Sequence, residues 1–357
     1  MTFRIDMLPA AQGDCFWIEY GTDRETHRIL FDGGPNTVAT YAVLKDRVAE
    51  LPAGDRHFDL IVVSHIDIDH IDGIVKLLDD DELGVTYDDF WFNGYQHLKE
   101  QVETFGGRSG ERLTGLIDHT KWNRAFGGEA VVARGGKAPC VALPGGMFLT
   151  VLSPTPAQLE ALFPKWKKEA EAAGLNPELG AAPERDPVPD GWETFGSGTP
   201  NVESLVRTEY EPDNAEANGS SIALLARHGG KSVLLLADAF AEVVDATLDG
   251  LVGAGEQFDV HVVKVSHHGS PKNTPIDLVR RLRAETWLVS ASGAYHKHPN
   301  PVVVARIVKY APRDAEIVFN YRNQITKRWD ASGLKQSYHY RTRYPGKELA
   351  PVEVELG

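Results

Sequence analysis

The stretch IVVSHIDIDHIDG, residues 61–73, decides how the rest of the chain is read. It opens as an apolar run of strand length, then places His65, Asp67, Asp69, His70 and Asp72 in quick succession before Gly73. A buried strand that delivers so many ionisable groups to one point suffers repulsion and desolvation unless a partner of opposite sign sits among them. A metal cation answers that description. His65 and Asp67, two apart on extended backbone, can aim at one cation, while the adjacent Asp69 and His70 point elsewhere and can serve a second. Imidazole mixed with carboxylate favours zinc, manganese or iron over calcium. Asp72, beside a glycine, reads as a helix cap.

The 357 residues suffice for one large or two ordinary domains, and 42% hydrophobic content is normal for a protein with a sizeable core. No window approaches a membrane span, and MTFRIDM at the N-terminus lacks signal-peptide character, so a cytoplasmic protein with no membrane association is expected. Cys15 and Cys140 make neither a disulfide framework nor a four-cysteine zinc site, and each reads as a small buried apolar residue. A net charge of -14 argues against non-specific coating of nucleic acid. Residues 261–347 nevertheless carry 16 Lys plus Arg against 5 Asp plus Glu, a basic segment able to steer an anionic substrate, or an ordinary solvated face.

Around residues 61–73 the pattern is that of an α/β protein. FWIEY from Phe16, RILF from Arg28 and DLIVVS from Asp59 read as strands, and DGIVKLLDD from Asp72 as a short helix. Helical spacing covers His97 to Trp122; MFLTVLSP from Met147 reads as strand and turn, and PAQLEALFPKWKKEAEAAG from Pro156 as helix. Residues 176–217, rich in Pro, Gly and acid, read as a long loop or lid and a candidate protein-partner surface. SSIALLA and SVLLLAD form a hairpin around RHGG, VHVVKVS and TWLVSAS follow as strands, and Thr274 and Asn300 each cap a helix that begins with proline. In the tail, EIVFNYRN, TKRWD and YHYRTRY alternate aromatic and basic residues over two strands. Arg322, Lys327, Arg328, Arg341 and Arg343 there suit either stacking on bases or a solvated edge hairpin.

Two further segments repeat the logic of the first. LLLAD ends an apolar strand in Asp238, whose two oxygens can bridge two cations. KVSHHGS ends another in His267 and His268, and AYHKHPNP carries His298 in a loop. HIDIDHIDG resembles the metal motif of the metallo-β-lactamase superfamily, usually His-x-His-x-Asp-His, with Asp67 in place of the second histidine. Together with QGD ending at Asp14, DGG at Asp32, NGSS at Asn218, LLAD ending at Asp238, SHHGS and HPNP, it resembles the metallo-β-lactamase-like domain of the competence protein ComEC family, in matching order over most of residues 1 to 310.

The resemblance implies an αβ/βα sandwich of two mixed sheets flanked by helices, with a dinuclear site at one sheet edge. Residues 1–310 would form one domain, interrupted by an insertion at about 85–215, and 311–357 a β extension packed on it. His65 and Asp67 would hold the first metal, Asp69 and His70 the second, Asp238 would bridge, and His298 would be the late histidine ligand. His267 and His268 would line the site as catalytic groups together with Asp69. Ser270, Lys272 and Asn218 are candidate substrate-binding residues. The usual middle histidine should fall near Leu152 to Pro154, where the sequence has none. Asp14 and Asp32 read equally well as turn aspartates.

Two zinc or manganese ions about 3.5–4 Å apart acidify water and hold the oxygens of a displacement, so hydrolysis is the expected chemistry. The ComEC likeness and the basic segment favour a phosphodiester in DNA, RNA or a nucleotide, making the protein a nuclease or nucleotide phosphodiesterase. Hydrolysis of a small ester, thioester or lactam is the enzymatic alternative. A metal-binding sensor or scaffold component of a multi-protein system is the alternative of another class.

Overall fold

A computed structural model describes residues 1–22, 24–98, 108–134, 138–172, 198–294 and 297–357. Its strands are β1 (Thr2–Met7), β2 (Phe16–Thr22), β3 (Glu25–Phe31), β4 (His57–Val62), β5 (Thr86–Trp91), β6 (Cys140–Leu143), β7 (Met147–Ser153), β8 (Ala223–His228), β9 (Lys231–Leu235), β10 (Phe258–Lys264), β11 (Leu282–Val289), β12 (Glu316–Phe319), β13 (Arg341–Arg343) and β14 (Val352–Glu355). The helices are α1 (Val38–Ala49), α2 (Ile68–Leu78), α3 (Arg108–Leu116), α4 (Pro156–Ala172), α5 (Val202–Leu205), α6 (Glu216–Gly219), α7 (Ala241–Val252), α8 (Ile276–Arg281), α9 (Pro301–Tyr310) and α10 (Ser332–Tyr338).

Two mixed sheets result. One has the order β14-β1-β2-β3-β4-β5, the other β13-β12-β11-β10-β9-β8-β7-β6. Pairs β3–β4 and β4–β5 are parallel in the first; β9 to β13 run parallel in the second. The sheets face each other across one apolar layer, with Ile5, Ile18, Leu60, Val62 and Trp91 on one side and Leu149, Leu224, Val233, Val262 and Leu288 on the other. Helices cover the outer faces. Alternation on β4 shows why: Leu60 and Val62 face the opposite sheet, while Ile61 and Val63 pack with Ile71 and Ile74 of α2. Parallel strands buried on both faces need the near-continuous apolar runs that the sequence carries.

Several expectations change once the chain is folded. Helix α2 begins at Ile68, earlier than expected, with Asp67 at its N-cap position; Asp72 lies inside the helix and accepts a hydrogen bond from Ser109 Oγ (2.8 Å), so it is not a cap. Pro275, not Thr274, is the N-cap of α8, whereas Asn300 caps α9 as expected, its side chain accepting from Val302 N. Cys15 is buried, but Cys140 is exposed because it opens the edge strand β6, whose outer face meets solvent. Of the 97–122 span, residues 99–107 lie outside the described residues; among the rest, helical structure includes α3, followed by an irregular segment at Trp122. Much of 176–217 lies outside the described residues; its end holds α5 and α6. The span 85–215 contributes β5 to one sheet and β6 and β7 to the other.

The tail is not a hairpin. β12 and β13 are parallel, and a parallel pair needs a crossover, which residues 326–338 supply as a turn and α10. β14 crosses to the first sheet and pairs antiparallel with β1. Trp329 and Tyr340 are buried, the Tyr340 hydroxyl donating to Trp329 O (2.6 Å), so that half of the aromatic pattern is core rather than a stacking platform. Part of the basic surplus is also internal: Lys264 and Arg306 have no exposed surface, and Arg281 is paired with Asp245 and Asp249 at 2.7 and 2.8 Å.

Candidate metal centre

The parallel strands β3, β4, β9, β10 and β11 all point their C-terminal ends to one side of the sandwich. Asp32 follows β3, His65 to His70 follow β4, Asp238 follows β9, His267 and His268 follow β10, and His298 lies in the loop after β11. Strand ends in an open sheet are where the backbone leaves its ladder and side chains can converge. Four residues hold left-handed backbone to do so: Asp32 (φ 59°), Ala237 (45°), His267 (48°) and His268 (52°). Such conformations cost energy in non-glycine residues and persist where the surroundings impose them. Here the N–H of His267 donates to Ala237 O (2.9 Å) and that of Ser270 to His267 O (2.8 Å). Gly13 is needed for close approach, since a Cβ there would stand 1.7 Å from the Asp69 carbonyl oxygen.

At the centre stands Asp238, which is buried. Its Oδ2 is 4.0 Å from His65 Nε2, 3.7 Å from His267 Nε2 and 3.5 Å from His268 Nε2, while Oδ1 is 3.5 Å from His70 Nε2. Asp67 Oδ2 lies 3.5 Å from His65 Nε2, and Asp69 Oδ2 lies 3.6 Å from His268 Nε2. These two carboxylates keep some exposure and mark the open side of the cluster.

Each imidazole is oriented from behind through Nδ1. His70 Nδ1 faces Asp32 Oδ2 at 2.9 Å and His268 Nδ1 faces the Ser290 carbonyl at 3.1 Å. His267 Nδ1 donates to Asn273 Oδ1 (2.9 Å) and lies 3.3 Å from Asp213 Oδ2. The Ser64 hydroxyl donates to Asp32 Oδ2 (2.8 Å) and therefore accepts from His65 Nδ1 (3.0 Å). With every Nδ1 a donor, all four Nε2 atoms of the neutral rings present lone pairs to the same carboxylate-lined space. His70 Nε2 and His268 Nε2 are only 3.2 Å apart. Two ring nitrogens so placed, with His65 Nε2 and Asp238 Oδ1 buried and lacking any hydrogen bond, are satisfied either by shared protons or by a cation among them. The residues present thus fit a divalent metal. Asp14, His70, Asp238 and His268 each offer an atom within 4.8 Å of the others.

Asp14 stands apart in function. It pairs with the buried Lys264 ammonium, and its Oδ1 is 3.3 Å from Nδ1 of His268, so it supports that ring while its carboxylate stays within reach of the His70, Asp238 and His268 ligand atoms. Asp32 likewise does more than turn the chain, receiving Ser64 N (2.7 Å) and Oγ as well as His70. Asp213 and Asn273 escape sequence reasoning: Asp213 sits in an acidic, proline-rich stretch, and Asn273 in a turn. Asp32→Asn is expected to weaken metal binding by about 10–100-fold, since the amide cannot replace a carboxylate acceptor behind His70; titration against a chromophoric chelator measures it.

The other expected site residues fall nearby with different surroundings. The ring of His298 lies 5.7 Å from that of His267, edge-on. Ser270 is buried, its hydroxyl accepting from Lys272 N (3.3 Å) within the turn. Asn218 is buried and donates to Asp213 (2.8 Å). The Lys272 carbonyl accepts from Asp213 N and Tyr210 Oη.

Without metal the cluster holds itself together by protonation. Burial opposes charge on His267, but Asp238 and Asp213 outweigh it and carry the imidazole up to about 9. His70 and His268 are raised for the same kind of reason, burial again being overcome by Asp238 together with Asp32 or Asp14. Burial pushes the Asp14 carboxyl up, but Lys264 and His268 outweigh it and hold it at about 2, and Asp238 is likewise held low by the histidines. The raised histidines stabilise the metal-free fold fully below their unfolded value near 6.5, and this is lost as pH climbs through their folded values. The lowered carboxylates stabilise it above about 3.8 and fail only in stronger acid. Metal-free protein should therefore melt progressively lower from pH 6.5 to 9, while added zinc, which must displace those protons, should stabilise more as pH rises. Thermal midpoints with chelator and with zinc across that range give the test.

Two facing mixed sheets, helices outside, and a histidine and aspartate cluster at the strand ends define a metallo-β-lactamase-fold protein with a candidate metal site. No family model matches the chain. ComE operon protein 3 of Bacillus subtilis (strain 168) is 28% identical over 122 residues, a match covering 32% of this chain and only 15% of that protein. Among solved structures, the metallo-β-lactamase fold protein YhfI from Bacillus subtilis aligns with 99% of this chain and all of its own at 13% identity and a TM-score of 0.43. A mutant of CmlA beta-hydroxylase aligns over 99% of this chain and 54% of its own, at 14% identity and a TM-score of 0.40. Among the described residues no helix is long and apolar enough to cross a membrane.

Proposed function

We propose that the protein is a metal-dependent hydrolase of phosphodiesters, a nuclease or nucleotide phosphodiesterase. The observation that carries this reading is the convergence of four Nε2 lone pairs and the partly exposed Asp67 and Asp69 on Asp238. Zinc or manganese held there would supply an acidified water and polarise a phosphoryl oxygen. Asp69, on the open side, is placed to accept a proton from attacking water, and the buried far side excludes bulk solvent from the cluster.

The choice of a phosphodiester is supported by a basic cavity whose loop is hydrogen-bonded to segments next to the cluster. Arg322, Lys327 and Arg328 line a cavity of about 390 Å³ with Gly198, Thr199, Asp330 and Ala331. Their loop is tied to the site: Asn320 Nδ2 donates to Ser290 Oγ (3.1 Å), Asn323 Nδ2 to Ser292 O (2.7 Å), and Tyr321 Oη accepts from Ala11 N (2.8 Å). A polyanion crossing the metal cluster could rest its next phosphates on this basic ledge. The partial likeness to ComE operon protein 3 agrees with the ComEC-type motif order.

Metal content by elemental analysis, with cleavage of single- and double-stranded DNA and a chromogenic phosphodiester in manganese or zinc, tests the reading. Cleavage that is lost with chelator and weakened by Arg322→Ala/Lys327→Ala/Arg328→Ala in a salt-dependent manner supports it. Metal-loaded protein that leaves every phosphodiester intact overturns it.

A further inference from the structure

The geometry points to His267 as an imidazole that completes the first metal position, so that the adjacent pair His267–His268 divides between two positions. The inference rests on the metal-dependent reading above and assigns its ligands. The second position is well supplied: Asp69, His70 and His268 surround Asp238 with ligand atoms separated by 3.2 to 3.6 Å. Atoms bound tetrahedrally at about 2.0–2.1 Å from one zinc stand about 3.3–3.4 Å from each other, so this spacing is that of a ligand set drawn slightly open.

The first position has His65 and Asp67, 3.5 Å apart, and Asp238 Oδ2 at 4.0 Å from His65. Ser153, in the segment where the superfamily pattern would put a third imidazole, is buried and carries no ligating ring. His267 Nε2 approaches the same Asp238 oxygen, Oδ2, to 3.7 Å; His268 Nε2 reaches it at 3.5 Å but is committed to the second position by its 3.2 Å contact with His70 Nε2. His267 also has what a ligand imidazole needs and a lining residue does not. Its Nδ1 is fixed by Asn273 and backed by Asp213, which is itself buried and held by Asn218 (2.8 Å) and Asn273 (3.0 Å). This repeats the carboxylate support given to His70 by Asp32 and to His268 by Asp14. Consecutive left-handed residues splay the two neighbouring rings, which meet nearly at right angles (79°), so one can serve each position.

Cobalt(II) serves as the probe. Each imidazole ligated through Nε2 keeps its Nδ1 proton, and beside a paramagnetic ion that proton gives a strongly shifted, solvent-exchangeable NMR signal. Wild-type protein titrated with cobalt(II) is expected to take up two equivalents and show four such signals, from His65, His70, His267 and His268. His267→Ala should lose one signal and bind the first equivalent normally but the other at least about tenfold more weakly. Asp213→Asn, which disturbs the support without removing the ring, should retain four signals with a weakened site, and His298→Ala should change neither count nor affinity. Three signals in wild type, or unchanged two-equivalent binding in His267→Ala, would overturn the assignment while leaving the metal-dependent reading intact. Absence of any cobalt binding would overturn both.

Discussion

Asp238→Asn is expected to fold as wild type yet bind zinc or manganese at least about 100-fold more weakly, more than the loss anticipated for a group behind the ligands. Among the described residues, Asp238 is approached by all four imidazoles of the cluster, through Oδ1 on the His70 side and Oδ2 towards His65, His267 and His268. The amide preserves shape but gives up the negative charge and one acceptor oxygen, so one of the two sides loses its ligand atom and gains an N–H pointing at lone pairs. Chelator competition on both proteins, with circular dichroism to verify folding, measures the effect. Wild-type affinity in the variant would show that the metal sits elsewhere.

Lys264→Met carries the largest expected cost in stability, about 3–5 kcal/mol, because it strands the Asp14 carboxylate in a fully buried place. The ammonium pairs with Asp14, donates to Ala237 O (2.8 Å) and lies 3.8 Å from Asp238 Oδ1. It therefore balances the inner carboxylates from behind and holds Asp14 beside His268. Removing the stranded charge as well, in Lys264→Met/Asp14→Asn, should return a large part of the loss. Urea unfolding of the metal-free single and double variants provides the comparison; additive effects of the two substitutions would show that the pair is not coupled.

Much of the candidate metal centre is legible from the chain because each contributing segment has the same simple form, an apolar run ending in ionisable residues. HIDIDH after IVVS, Asp238 after LLLA, and the two histidines after KVS all follow that rule, and all lie in the cluster. Lys264 had a visible signal too, a lone cation inside Val262-Val263-Lys264-Val265, since an ammonium at an inward strand position needs an anion waiting for it. Asp213 and Asn273 had none. Their partners are distant in sequence, and nothing in a proline-rich acidic stretch or a turn distinguishes the residue that meets a histidine from its exposed neighbours.

By itself, then, the sequence determined the α/β layering, through strand-length apolar runs and capped helices, and the demand for a cation, through too many carboxylates and imidazoles at strand ends. Tertiary structure decided which atoms answer that demand. The left-handed turn at His267 and His268 separates two rings that are equivalent on paper, the crossover through residues 326–338 buries aromatics that alternate with surface arginines, and Asp14 and Asp32 pass from turn residues to supports behind His268 and His70. The physical reason is common to all three. Periodicity records which face of an element is buried, whereas the direction of a side chain at the end of an element is set by backbone angles and hydrogen bonds to residues far away in the chain.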